Sequence, residues 1–322
     1  MPEHKLKLPF IERMQKLLPD KKDYEEFLNI IQNQPQNSIR CNTLKISPEE
    51  LKKKLESKGW KISQPWKSHK EVMIIENDLA PGEIGRALEH LIGYYYVQEL
   101  VSMLPILALN PQKDELVLDL ASSPGSKTTQ MASLMKNTGT IIANEISMGR
   151  LRILASNLER CGATNTIITR KDGVALCERM KKFKPEMQFD KILVDAPCSG
   201  EGTLRSSPKT YLMWNPKTIF NLSRLQKQMI TTAFEILKPG GEMIYSTCTH
   251  APEENEEVVD FLINEFKNKV QIEKISLPIK CRPGLTKWQD SKYSKEVNKS
   301  CRIYPQDNNT EGFFLCKIKK LK

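Results

Sequence analysis

Two segments of this 322-residue chain place a cysteine just behind an apolar run. The first reads Ile192-Leu-Val-Asp195-Ala-Pro197-Cys198-Ser-Gly200-Glu-Gly202, the second Met243-Ile-Tyr245-Ser-Thr247-Cys248-Thr249. One such cysteine is most simply a buried small hydrophobe. Two at matching run ends point instead to thiols that face one cleft. A thiol becomes a nucleophile when charge or a helix N-terminus lowers its pKa, and a helix expected soon after Cys248 could supply that field. The spacing does not decide between the two cysteines. His250 reads as a flanking surface side chain, and the other six cysteines as structural.

Three acids form a second set. Asp119 ends an apolar run and opens Ala121-Ser122-Ser123-Pro124-Gly125-Ser126-Lys127-Thr128. The small residues let a ligand approach the backbone, and a helix N-terminus offers N–H groups to an anion. Neither G-x-x-x-x-G-K-[ST] nor G-x-G-x-x-G is present, which disfavours a Walker loop or a nicotinamide site. Glu145 follows the next run, where an acid commonly accepts from ribose hydroxyls. Asp172 follows the third. Acids ending successive strands suit a nucleoside cofactor better than a phosphate-rich one.

The elements that must position these groups alternate from about residue 96. Apolar runs at 116–121, 140–146, 189–197 and 242–249 read as strands, with another in Asn165–Gly173 and a last one in Glu311–Lys320. Helical spacing fills 126–136, 148–162, 216–241 and 252–266. Apolar strands separated by helices predict a parallel sheet covered on both faces, with ligands beyond the C-terminal strand ends. Residues 1–95 read as a smaller α+β module, with helices in LPFIERMQKLL and DYEEFLNIIQ and strands in SIRCNTLKI and EVMIIEN. Its best-marked helix starts at Ser47, with Pro48 at its first position and Glu50 completing a capping box. The expected division is therefore 1–95 and 96–322. Residues 277–311 read as a long polar loop, functional or flexible.

Lysine and arginine number 49 against 39 acids, a net charge of +10. That excess fits a polyanion, nucleic acid before membrane. No apolar run is long enough to span a bilayer, and the N-terminus has no signal core, so a cytoplasmic protein is expected. Eight cysteines without a C-x-x-C pair and four histidines argue against zinc. No disulfide framework is needed at this size in a reducing compartment.

ILVDAPCSGEGTLR and GGEMIYSTCTHAPEENEEVV resemble the two signature motifs of the RNA cytosine-5 methyltransferases, the NOL1/NOP2/Sun family. VLDLASSPGSKTTQ resembles its S-adenosylmethionine motif. YYYVQELVSMLP, RCNTLKIS and TEGFFLCKIKK resemble other family segments. The likeness covers nearly the whole chain and is closest to compact archaeal tRNA-type members. It implies a Rossmann-like methyltransferase sheet behind an RNA-binding module, acting on tRNA as a monomer, with an accessory protein as one option. The same chemistry on ribosomal RNA, or a non-catalytic RNA-binding factor, are the alternatives.

The resemblance also implies roles. Cys248 would add to C6 of cytosine, and Cys198 would help release product. Asp195 would hydrogen-bond the base edge, and Lys127 would lie near the base and the methionine end of the cofactor. Ala121, Ser122, Ser123, Pro124, Gly125, Ser126 and Lys127 would contact that cofactor, with Glu145, Arg150, Asp172 and Asp195. An unstacked cytosine must be delivered, because its ring face is unreachable inside a helix. Arg40 is a candidate RNA contact, whereas Lys52, Lys53 and Lys54 read as a solvated helix face. Arg205-Ser-Ser-Pro208 stands where many bacterial members carry paired arginines, and Gln306 where a histidine is frequent.

Overall fold

The computed structural model describes residues 6–207, 210 and 214–322; Pro208 lies outside them. The chain runs α1 (Leu8–Leu17), α2 (Lys21–Ile30), β1 (Asn37–Cys41), α3 (Pro48–Glu56), β2 (Ile62–Ser63), β3 (Val72–Ile75), α4 (Glu83–Arg86), α5 (Leu88–Leu91) and β4 (Tyr95–Val97). It continues through α6 (Leu100–Leu109), β5 (Leu116–Asp119), α7 (Ser126–Leu134), β6 (Thr140–Asn144), α8 (Met148–Cys161), β7 (Thr166–Thr169), α9 (Gly173–Phe183) and β8 (Phe189–Asp195). Then follow α10 (Pro216–Glu235), β9 (Leu237–Thr247), α11 (Glu256–Phe266), β10 (Val270–Glu273), β11 (Arg282–Pro283), β12 (Lys287–Trp288), β13 (Ser291–Lys292), β14 (Cys301–Ile303), α12 (Pro305–Asn308) and β15 (Phe313–Lys320).

The main sheet has the order β11-β14-β15-β9-β8-β5-β6-β7, with β10 beside β15. It is parallel from β9 to β7, as the apolar runs of those strands require. Beyond β9 it is antiparallel: β15 returns along β9 and is flanked by β14 and β10. The expectation of a wholly parallel sheet is corrected there, because only the single-turn α12 joins β14 to β15, too short for a crossover. Strand order reverses between β5 and β8. That switch point is where loops from both halves diverge and leave a crevice.

Local chemistry sets several boundaries. The Ser47 side chain accepts from Glu50 N at 3.2 Å and starts α3. Gly162 ends α8 in the left-handed region, φ +71°. Helix α11 begins at Glu256 rather than 252, because Pro252–Asn255 forms a separate turn.

A four-stranded antiparallel sheet, β2-β3-β1-β4, forms the smaller module with α3 against it. Helices α1 and α2 pack elsewhere. Phe10, Met14, Leu17, Leu18 and Phe27 lie in the same apolar core as β8, α10 and β9. Burying each such side chain contributes about 1.5–3 kcal/mol.

Residues 277–311 form no loose loop. They hold β11 to α12, and Trp288, Tyr293, Val297, Ile303 and Tyr304 are buried. Polar composition hid this because the apolar anchors are widely spaced. Pairing of β11 with β14 also brings Cys281 and Cys301 to a Cα separation of 5.4 Å, and the two form a disulfide. Among the described residues no helix is long and apolar enough to cross a membrane, and no cluster of three or more His, Cys, Asp or Glu side chains could hold a metal.

Candidate active site

The loop from β5 to α7 is held by its backbone. Ser122 donates from N and Oγ to Asn144 O, at 2.8 and 2.9 Å. Arg150 Nη2 donates to Ser123 O at 2.7 Å, and Asn157 Nδ2 to Pro124 O at 2.9 Å. Gly125 sits at φ +99°, where a Cβ would lie 3.0 Å from Leu154; glycine permits both the turn and the approach to α8. Arg40 Nη1 donates to Ser126 O at 2.7 Å, and Nη2 to Thr129 Oγ1 at 2.8 Å.

Arg40 is thus no RNA contact. It is 2 % exposed and bridges β1 to the first turn of α7. Both faces of β1 are buried, and the Arg40 face meets α7 rather than solvent. Lys53 and Lys54 are exposed, and Lys52 is partly so, as a solvated face requires.

The three acids end neighbouring strands. Asp119 is buried, accepts from Thr128 Oγ1 at 2.7 Å, and is pushed up to about 7 by burial. Its Oδ1 has no partner. Glu145 is buried and accepts from Ser147 N at 2.8 Å, with Arg150 Nη1 at 3.5 Å. Asp172 is exposed and caps α9 through Ala175 N, at 3.0 Å. A small-residue turn at a helix N-terminus, a buried acid with an unused oxygen and two further acids along one sheet edge fit a nucleoside-bearing cation such as S-adenosylmethionine.

On the far side of the switch point, Asp195 ends β8 and Ser246 lies opposite it on β9. Asp195 accepts from Lys127 Nζ at 2.8 Å and from Ser246 Oγ at 2.6 Å. Lys127 also donates to Ser102 Oγ at 3.0 Å and lies 5.7 Å from the Phe313 ring centre. The Cys198 and Cys248 sulfur atoms are 3.3 Å apart. The Cys198 thiol is held well above its usual range, first by the hydrogen bond to Cys248 and then by burial.

A cleft of about 340 Å³ connects the two modules. Lys127, Asp195, Cys248 and Phe313 line it from one side, and Asn37, Ser38 and Gln98 from the other. Cys198 is not among the lining residues. Glu99 and Glu311 also face the cleft; burial raises both, Glu99 to about 7.

Several side chains around this site carried no clear sequence signal. His250 is buried, not at the surface: it stacks on Tyr304 with ring centres 4.9 Å apart, and burial lowers it to about 3. Arg205 turns inward, donating to Asn33, Gln34 and Thr310 carbonyls. Gln306 donates to Asp23 Oδ1 at 2.9 Å. Glu253, Glu254, Asn255 and Glu256 are all buried. Four consecutive polar residues cannot all be buried on one helix face, so the unusual run behind the cysteine strand was the available clue.

The fold and site define an S-adenosylmethionine-dependent methyltransferase. The family model for the 16S rRNA methyltransferase RsmB/F matches residues 106–319, and that for the N-terminal domain of 16S rRNA methyltransferase RsmF matches residues 6–100. The chain is 42% identical over 316 residues to the tRNA (cytosine(49)-C(5))-methyltransferase of Pyrococcus abyssi, covering 98% of this chain and 97% of that one. It is 40% identical over 314 residues to ribosomal RNA small subunit methyltransferase F of Aliivibrio salmonicida, covering 97% of this chain but 63% of that longer protein. A solved methyltransferase homologue from Pyrococcus horikoshii superposes with a TM-score of 0.83 at 33% identity, covering 97% of this chain and 95% of that one. NSun6 from the same organism, solved with SFG, gives 0.81 at 25% identity, covering 97% and 98%. This chain belongs to the RsmB/F (Sun/NOP2) family of RNA cytosine-5 methyltransferases.

Proposed function

We propose that the chain methylates C5 of cytosine in tRNA through a covalent bond from Cys248 to C6. The observation that carries this reading is that Cys248 lines the cleft with Lys127 and Asp195, while Cys198 stands 3.3 Å behind it.

C5 of cytosine is a weak nucleophile until a thiolate adds at C6. The Cys248 sulfur forms that bond, and the ring electrons move toward C5. Asp195 and Lys127 hold the base edge, and their pairing fixes both side chains before the base arrives. S-adenosylmethionine supplies the methyl group from its sulfonium. A base delivered by solvent takes the C5 proton, its bonding pair restores the C5–C6 double bond, and the C6–S bond breaks to return the Cys248 thiolate. Cys198 assists this release. Residues 121–127 with Arg150 form the methionine end of the cofactor site; Glu145 serves the ribose and Asp172 the adenine amine.

The end-to-end match with the tRNA enzyme favours tRNA. Ribosomal RNA is the second reading, favoured by the match to the methyltransferase F proteins, of which the chain spans about 63%. Bisulfite sequencing of tRNA and ribosomal RNA after incubation with the pure protein separates them. Cys248→Ala should abolish methylation with cofactor affinity intact, and Cys198→Ala should accumulate a denaturant-resistant enzyme–RNA adduct. Retained turnover in Cys248→Ala would move the nucleophile elsewhere.

A further inference from the structure

Behind the half-buried Cys248 the turn between β9 and α11 is buried, yet it carries Glu253, Glu254, Asn255 and, at the start of α11, Glu256. Each reaches a different element. Glu253 pairs with Arg13 of α1 at 2.8 Å, and Glu256 with Arg302 of β14 at 2.6 Å. These two fasten the turn to its surroundings. The middle two bond to residues that flank the thiols.

Glu254 Oε2 accepts from Ser199 N at 3.0 Å, the amide next to Cys198. It also accepts from Gln226 Nε2 at 2.8 Å, which reaches Pro197 O at the same distance. Glu254 and Gln226 therefore hold the backbone on both sides of Cys198. Asn255 does the same for the other cysteine. Its Oδ1 accepts from Thr247 Oγ1 at 2.5 Å, and its Nδ2 donates to Thr249 O at 2.9 Å. Thr247 and Thr249 are the neighbours of Cys248. Tyr245 Oη donates to Glu254 O at 2.5 Å and locks the turn to β9.

We propose that Glu254 and Asn255 are positioning residues that set the two thiols against each other, Glu254 serving the release step through Cys198 and Asn255 the attack step through Cys248. This rests on the roles proposed for the cysteines. Adjacent residues of one turn cannot shift independently, so they fix a separation that two free loops would not keep. A displacement of about 1 Å is enough to cost a reaction orders of magnitude. Burial raises the Glu254 carboxyl to about 7, and once ionised its charge acts in the same sense as the neighbouring sulfur on Cys198, favouring the protonated thiol. Cys198 also faces Cys248 itself, and Tyr245 lies within electrostatic reach of Glu254, Cys198 and Asp195.

The test follows methyl transfer from labelled S-adenosylmethionine to tRNA in a single turnover, with adduct read on denaturing gels. Glu254→Met and Gln226→Met should accumulate methylated adduct by about tenfold over wild type, as Cys198→Ala does. Asn255→Ala should instead form about a tenth of the wild-type adduct, as attack fails. All three should bind S-adenosylmethionine within about threefold of wild type. Gln226→Met carries the release arm if Glu254→Met does not fold. Opposite signatures from neighbouring residues are not produced by general loosening. Release at the wild-type rate in Glu254→Met or Gln226→Met, while Cys198→Ala traps adduct, overturns the proposal. Equal loss of attack and release in the Glu254 and Asn255 variants does so too. If Cys198→Ala traps nothing, the assigned cysteine roles fail and the proposal falls with them.

Discussion

The sulfur atoms of Cys198 and Cys248 face each other at 3.3 Å across the ends of two adjacent parallel strands. Thiols this close can condense when one is oxidised. Peroxide oxidises one thiolate to sulfenic acid with release of hydroxide, and the second thiol displaces the remaining oxygen as water. Stoichiometric hydrogen peroxide should therefore inactivate the enzyme, and dithiothreitol should restore it. Cys198→Ser should form no such crosslink and should instead carry an oxidised Cys248 in the peptide map. Mass spectrometry showing no Cys198–Cys248 peptide would count against the geometry.

Arg40 is expected to act on the cofactor side although it belongs to the smaller module. Its guanidinium holds Ser126 O, and the Tyr96 ring lies 5.6 Å away while Tyr96 Oη donates to Pro124 O at 3.3 Å. Arg40→Met leaves buried acceptors unmet at a cost of about 2–4 kcal/mol. Calorimetry should show weaker S-adenosylmethionine binding, by about tenfold, with tRNA affinity nearly unchanged. An equal loss of tRNA affinity would restore Arg40 as an RNA contact.

Glu99 gives a pH signature. Burial raises its folded pKa to about 7 from 4.5, despite the amides of Val101, Ser102 and Glu311. A raised carboxyl binds more protons folded than unfolded, so its contribution to stability falls as pH rises from about 4.5 through 7. Glu99→Gln cannot ionise; its one amide oxygen keeps the Val101 and Ser102 amides and leaves Glu311 N unmet. Its stability relative to wild type should rise by on the order of 2 kcal/mol from pH 5 to pH 8. Urea denaturation at both values tests this, and a pH-independent difference would refute it.

Gly312 is fixed by contact. Its N donates to Gly202 O at 2.8 Å, and Gly202 N donates to Cys248 O at 2.9 Å. A Cβ on Gly312 would stand 2.3 Å from the His250 ring, itself wedged against Tyr304. Gly312→Ala should cost about 1–3 kcal/mol in urea denaturation and slow methylation. Gly85→Ala, which meets nothing within 4 Å, should be close to neutral. Equal stability of the two variants would show that the crossing yields.

Much of the fold was legible because it is local. The apolar runs of β5, β6, β8 and β9 alternate with helical periods, and Asp119, Glu145, Asp172, Asp195, Cys198 and Cys248 fall at the run ends, so their shared edge follows from strand direction alone. What the sequence by itself determined was this alternation, the small-residue turn after Asp119 and the pair of cysteines. Tertiary structure decided the rest, because burial depends on what packs across a gap. Arg40 faces α7 and not solvent, His250 lies beneath Tyr304, and α1 and α2 join the larger core. The polar run Glu253–Glu256 becomes an interior fastening because four separate elements converge there, each bringing a partner that no spacing along the chain could announce.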